Sequence, residues 1–164
     1  MEKSNYMSLI KIDVLKRHYE MTSGTVKALD GIDIEIEQGE RVILLGPSGS
    51  GKTTLLNCLS ALDSPTDGTY SFDGNEVPRN DSEKMTSFRR ENIGYVFQFF
   101  NLLQDLTVRE NIQLIQELSG KKDPQRALEL LELVGLENEV DRFPGEISGG
   151  QQQRVAIARS IAKR

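Results

Sequence analysis

The stretch Gly46-Pro47-Ser48-Gly49-Ser50-Gly51-Lys52-Thr53 decides how this chain is read. It follows the apolar run Val42-Ile43-Leu44-Leu45 and opens into the helix-like Thr54-Leu55-Leu56-Asn57-Cys58-Leu59. Strand, glycine-rich turn and helix, in that order, are the setting of a phosphate-binding loop. Gly46, Gly49 and Gly51 let the backbone wrap an anion without Cβ clashes, so that successive N–H groups turn inward. The helix adds unpaired N–H groups and the positive end of its dipole. Lys52 supplies a mobile cation for terminal phosphates, and the Thr53 hydroxyl is placed to ligate Mg²⁺. A turn that merely joins strand to helix is the bland alternative, and the full spacing of three glycines, lysine and hydroxyl weighs against it.

Bulk composition narrows the setting. The 164 residues are one domain's worth of chain. A formal charge of −5 offers no broad basic excess, so nucleic acid is not expected as a partner. The single cysteine, Cys58, excludes an internal disulfide and fits a reducing compartment; beside Leu55, Leu59 and Leu62 it reads as a small buried residue. No apolar run approaches the ~20 residues of a membrane span, and Met1 to Asn5 lack an apolar signal core. A cytoplasmic protein that meets the membrane only through a partner is the expectation.

Strand patterns fill the first forty residues. Ile32, Ile34 and Ile36 alternate with Asp33, Glu35 and Glu37, the period of a half-buried antiparallel strand. Ser8 to Leu15 and Thr69 to Phe72 read as further strands, with turns at Gln38-Gly39 and Asp73-Gly74. The segment from Asn75 to Arg90 is polar and uninformative, and Ile93 to Phe97 reads as a short buried strand ending at Gln98. Helical patterns follow. Thr107 with Glu110, Asp123 with Pro124, and Ser148 with Gln151 each mark a helix start.

The second informative stretch is Ile147-Ser148-Gly149-Gly150-Gln151-Gln152-Gln153-Arg154. Two glycines at a helix N-terminus beside a serine hydroxyl form a further anion site, compatible with Ser148 capping the same helix. With the loop upstream, this stretch resembles the signature sequence of ATP-binding cassette (ABC) ATPases, with Ile147 where the usual form has Leu. Phe88 to Gly94, Phe97 to Leu103 and Thr107 to Asn111 resemble the group that includes lipoprotein-release, macrolide-export and antimicrobial-peptide-export ATPases.

That resemblance implies an α/β fold: a P-loop NTPase (RecA-like) core with an antiparallel β-subdomain and an α-helical subdomain. It divides the chain into residues 1–40 and about 66–80 for the β-subdomain, 41–62 and 92–98 for the core, 99–147 for the helical subdomain and 148–164 for the signature helix. It implies ATP and Mg²⁺ as ligands, bound by Gly46, Pro47, Ser48, Gly49, Ser50, Gly51, Lys52, Thr53 and Thr54. Tyr19 would stack on adenine, and Gln98 would contact Mg²⁺ and the attacking water. Lys52 and Gln98 are then the residues nearest the chemistry, and Thr53 and Gln98 the metal contacts. Ser148, Gly149, Gly150 and Gln151 would touch the ATP held by a second ABC subunit in a dimer. A membrane-spanning subunit would dock at Phe99, Phe100, Leu102 and Leu103, with packing inside the helical subdomain as the alternative, and would hold the protein on the inner face of the cell membrane. His18, the only histidine, precedes the loop and does not match the family's switch histidine; a surface or half-buried residue is expected.

The family's Asp and Glu that follow a further apolar strand, and the switch histidine after them, have no counterpart in these 164 residues. The sequence is therefore read as an ABC ATPase domain cut before that strand. It should bind ATP without hydrolysing it efficiently, and its sheet should be marginally stable, with apolar edges bare. A non-hydrolytic nucleotide- or partner-binding module is the alternative. A role in DNA repair or translation fits less well, because the chain has no coiled-coil insertion.

Overall fold

The computed structural model describes residues 8–163. They divide into two compact units, split between Arg89 and Arg90.

The first unit is built on a four-stranded antiparallel sheet in the order β2-β1-β3-β4. Its strands are β1 (Ile10–Met21), β2 (Gly24–Ile36), β3 (Asp67–Phe72) and β4 (Asn75–Glu76). β1 and β2 form a long hairpin, pairing Ile12 with Ile34 and Tyr19 with Val26. The register shifts between Ile12 and Leu15, where Val14 takes a left-handed conformation (φ 50°) and donates its N–H to Asp33 Oδ1 at 2.7 Å. That bulge leaves no room for a side chain at Gly68, whose Cβ would overlap the Val14 carbonyl.

Helix α1 (Lys52–Leu59) belongs to this unit and buries Leu55 and Cys58. Burial pushes the Cys58 thiol up to about 11, so it is a packing residue rather than a reactive thiolate. Tyr70 is buried too and donates its hydroxyl to the Leu59 carbonyl at 2.8 Å. Tyr70 and Phe72 meet Phe88 edge-on, at centroid distances of 6.4 and 5.5 Å. Phe88 and Met85 come from helix α2 (Ser82–Asn92), which the sequence pattern does not announce. Only these two apolar side chains, one turn apart, give α2 a buried face. Its first turn is held by Asp81, which accepts the Lys84 N–H at 3.0 Å.

The core strands expected at 42–45 and 93–97 are not formed as ladders. Neither run carries regular secondary structure, and a strand exists only against a neighbour that accepts and donates its backbone hydrogen bonds. The described residues place no strand beside either run. Ile43 and Leu45 are accordingly 79% and 87% exposed. Val96 and Phe97 are exposed as well, so this segment is not the buried strand its composition suggests.

The second unit is helical: α3 (Val108–Leu118), α4 (Pro124–Leu133), a 3₁₀ turn (Pro144–Glu146) and α5 (Gly149–Ser160). Its core joins Val108 and Ile112 of α3, Leu130 and Leu131 of α4, and Val155, Ala156 and Ala158 of α5. The starts of α3, α4 and α5 match the sequence signals. Thr107 Oγ1 accepts the Glu110 N–H at 3.2 Å, while the Glu110 carboxylate accepts the Thr107 N–H at 2.8 Å. The Thr107 N–H and hydroxyl, both donating to the Glu110 carboxylate, hold it below its ordinary pKa. Asp123 caps α4, and Ser148 with Gln151 forms the reciprocal box of α5.

Gln116 of α3 is fully buried, and neither side-chain polar atom has a hydrogen-bond partner. An unpartnered buried amide costs about 1–3 kcal/mol. Gln116→Met keeps the unbranched shape without the polar atoms, and is expected to stabilise the chain by that order. Denaturant melts check this; equal or lower stability would mean that the amide has a partner in solution.

Candidate functional site

The glycine-rich loop departs from Leu45 and closes on α1. Ser50 N–H reaches the Pro47 carbonyl at 3.3 Å, and Gly49 and Gly51 take φ angles of 80° and 85°. Gly51 is the residue that no other type can replace. A Cβ there would overlap the Ala28 carbonyl of β2 and lie 3.3 Å from Leu29 Cδ2. The start of the helix is thereby seated against the hairpin.

Lys52 folds back over the loop. Its Nζ donates to the carbonyls of Gly46 at 2.8 Å and Pro47 at 2.7 Å, and reaches Ser50 Oγ at 3.3 Å. These are neutral acceptors for a cation, so an anion entering the loop would compete well for it. The N–H groups of Lys52, Thr53 and Thr54 have no acceptor among the described residues. Here α1 differs from the rest: α2, α3, α4 and α5 each have a side-chain cap, whereas the N-cap Gly51 of α1 supplies none. Thr53 is exposed, and its hydroxyl makes no hydrogen bond among the described residues. A single free hydroxyl suits Mg²⁺, which keeps several waters and takes its other oxygens from phosphates. No cluster of three or more His, Cys, Asp or Glu among the described residues could hold a metal by itself.

Tyr19 lies on β1, half-buried. Its hydroxyl donates to Asp63 Oδ2 at 2.8 Å, and the Arg17 guanidinium sits over its ring, 4.3 Å from the centroid. His18 is half-buried, as expected, with Nε2 2.9 Å from Asp30 Oδ1.

In the helical unit, Gln98 is exposed at a turn closed by the Phe100 N–H on the Phe97 carbonyl at 3.0 Å. The apolar cluster beyond it splits. Phe99 and Leu103 are exposed, at 81% and 47%. Leu102 is 7% exposed and belongs to the helical core, with Phe100 packed against that core. Leu102 is therefore not available to a docking partner, and packing explains it. Two features hold this segment that the sequence reading missed. Buried Asn111 donates its Nδ2 to the carbonyls of Leu103, Leu106 and Thr107, each at 3.0 Å. Arg159 donates to the Phe100 and Asn101 carbonyls at 2.7 and 2.8 Å.

At the start of α5, Ser148 Oγ accepts the Gln151 N–H at 3.3 Å and Gln151 Oε1 accepts the Ser148 N–H at 2.8 Å. The N–H groups of Gly149 and Gly150 are left without an acceptor among the described residues. A Cβ built on either glycine meets nothing within 4 Å, and neither has a positive φ. The packing of this chain therefore gives no reason for glycine there.

A family model described as "ABC transporter" matches residues 29–164, and the chain belongs to that family. Similar relatives include an uncharacterized ABC transporter ATP-binding protein of Thermotoga maritima, 47% identical, covering 92% of this chain and 65% of that protein. The lipoprotein-releasing system ATP-binding protein LolD of Bacteroides thetaiotaomicron is 42% identical, covering 93% of this chain and 70% of that protein. Among solved structures, the dimeric ATP-binding cassette MJ0796 in a post-hydrolysis state bound to ADP and Pi superposes with a TM-score of 0.84 at 40% identity. That alignment covers 94% of this chain and 69% of MJ0796. The fold is thus that of an ABC cassette, and the chain spans about two thirds of the length of these relatives.

The two kinds of glycine predict opposite outcomes. Gly51→Ala forces a left-handed alanine, at about 1–3 kcal/mol, and adds the clash with Ala28. Gly150→Ala is expected to be neutral or to stabilise by about 0.4–1 kcal/mol, because the helical backbone accepts it and the unfolded chain loses freedom. Thermal melts of both variants check this; a destabilised Gly150→Ala would mean that its glycine serves the fold.

Proposed function

We propose that this chain is the nucleotide-binding part of an ABC transporter ATPase, holding ATP with Mg²⁺ at the loop Gly46 to Thr54. One observation carries the reading: α1 is the helix with no side-chain cap, and a lysine lies beside its free N–H groups. A triphosphate supplies what that arrangement lacks. Its oxygens accept the N–H groups of Lys52, Thr53 and Thr54, and Lys52 Nζ exchanges two carbonyls for a charged partner. Mg²⁺, when bound, would neutralise charge on the phosphates. Thr53 is the residue of this unit that fits it, and Gln98 is proposed as a further contact to the metal and the attacking water. Tyr19 offers its ring to adenine.

Ser148, Gly149, Gly150 and Gln151 are proposed to close on ATP held by a second subunit. The bare N–H groups and unfilled space at Gly149 and Gly150 support that reading. Closure of two such subunits would move a membrane-spanning partner, for which Phe99 and Leu103 remain as exposed contacts. The residues described grip and orient phosphates, and none of them supplies the family's general base. Loss of a general base costs about 10²–10⁴ in rate, so residues 1–164 assayed alone are expected to bind ATP with little turnover.

Lys52→Ala removes the only side-chain cation that lies in the loop. Hydrogen bonds to charged groups are worth about 1.5–3 kcal/mol, so ATP affinity should fall by roughly tenfold to a hundredfold. Titration with a fluorescent ATP analogue reads this directly. Unchanged affinity would overturn the assignment of the loop.

A further inference from the structure

Arg17, Tyr19 and Asp63 form a closed set of contacts. Arg17 and Tyr19 are two apart on β1 and project to one face of the strand. Arg17 Nε donates to Asp63 Oδ2 at 2.9 Å and its terminal NH2 to Oδ1 at 2.8 Å, so both carboxylate oxygens are engaged. The Tyr19 hydroxyl donates to the same Oδ2 at 2.8 Å. The guanidinium that grips Asp63 also covers one face of the Tyr19 ring, 4.3 Å from its centroid. Arg17 and Asp63 side chains are only 24% and 23% exposed, so solvent screens the pair less than it does the ion pairs on the surface.

The set is anchored from both sides. Asp63 lies just beyond α1, and its N–H donates to the Asn57 carbonyl of that helix at 3.1 Å. The next turn returns to β1: Thr66 donates its N–H to the Lys16 carbonyl at 2.7 Å, and its hydroxyl accepts the His18 N–H at 3.0 Å. The carboxylate that fixes Tyr19 is therefore carried by the turn that follows, and is bonded to, the helix whose other end opens the glycine-rich loop.

A half-buried tyrosine needs neither restraint in order to pack. A bond at the hydroxyl fixes the direction of the ring axis, and a planar cation on one face fixes the ring plane. Together they remove rotamer freedom that binding would otherwise have to remove. With the guanidinium over one face, a flat ligand would take the other, on a ring whose electron density is drawn toward the cation.

We infer that Arg17 and Asp63 are positioning residues that hold Tyr19 as a preorganised stacking platform for the nucleotide base. This rests on the proposed reading that Tyr19 receives the base while the loop receives the phosphates. Arg17 and Asp63 act through the ring and touch neither base nor phosphate. Stacking on an aromatic face is tolerant of base identity, so the clamp favours nucleoside triphosphates as a class over bare polyphosphate.

The test compares affinities of the 164-residue chain for ATP, GTP and inorganic tripolyphosphate, each with Mg²⁺, by calorimetry. Stacking energies measured by alanine substitution predict that Tyr19→Ala weakens ATP by about 5- to 150-fold. Arg17→Ala, Asp63→Asn and Tyr19→Phe are expected to lose a part of this, roughly 3- to 10-fold, for ATP and GTP alike. Tripolyphosphate affinity should stay at the wild-type value. Arg17→Lys keeps the charge without the planar two-pronged grip and should behave like Arg17→Ala.

An ATP-to-tripolyphosphate ratio that stays wild-type in Arg17→Ala and Tyr19→Phe, while Tyr19→Ala lowers it, overturns the clamp and leaves the stacking reading standing. A ratio unchanged even in Tyr19→Ala overturns both. Failure of the wild-type chain to bind either ATP or tripolyphosphate strikes at the loop reading itself. If Arg17→Ala loses all ligands together through misfolding, Tyr19→Phe decides, because it keeps the ring and the Arg17–Asp63 pair.

Discussion

The start of α1 rests on the backbone of β2 at one point, where Gly51 meets the Ala28 carbonyl with no room for a Cβ. The phosphate site proposed for the first unit depends on that close approach. It requires glycine at the N-cap of α1, which has no side chain to cap with, and Gly51 takes a left-handed conformation that a larger residue would strain. Free N–H groups at the mouth of a helix are a cost in an empty protein and an asset in a liganded one. Lys52, bonded to two carbonyls of its own loop, is in the same condition.

The helical unit is organised differently. Its three helices are capped by their own side chains, and its core is closed by Val, Ile, Leu and Ala from α3, α4 and α5. Against that economy Gly149 and Gly150 stand out, since neither left-handed backbone nor crowding requires them. Arg159, toward the other end of the same helix, holds the carbonyls of Phe100 and Asn101, both at positive φ. The helix that begins with Gly149 and Gly150 thus also steadies the turn that exposes Phe99.

What could be read from the sequence was what is local. Capping boxes at Thr107 and Ser148 join residues three apart, and the alternation through Ile32, Ile34 and Ile36 needs only its own strand. The glycine-rich turn and the start of α1 are legible for the same reason. The apolar runs at 42–45 and 93–97 predict strands that the fold does not form, because an apolar run becomes a strand only beside another, and one-dimensional pattern does not supply the neighbour. Helix α2 went unread because its buried face is just Met85 and Phe88 in a polar segment; the Asp81 cap three residues before Lys84 was its available signal. For the cluster at Phe99 to Leu103 the sequence leaves docking and packing both open, and only the fold separates them: Leu102 fills the helical core while Phe99 is exposed. The Arg17–Asp63 pair spans 46 residues and leaves no local trace in the sequence.

The central claim is that the uncapped first turn of α1 and its loop are the seat of a triphosphate. Hydrogen exchange of the backbone amides, with and without Mg²⁺ and ATP, tests it at the atoms concerned. The account predicts that ATP slows exchange of the amides from Gly49 to Thr54, including those of Lys52, Thr53 and Thr54. Saturating ATP that protects other segments and leaves these amides exchanging at their free rate would contradict it.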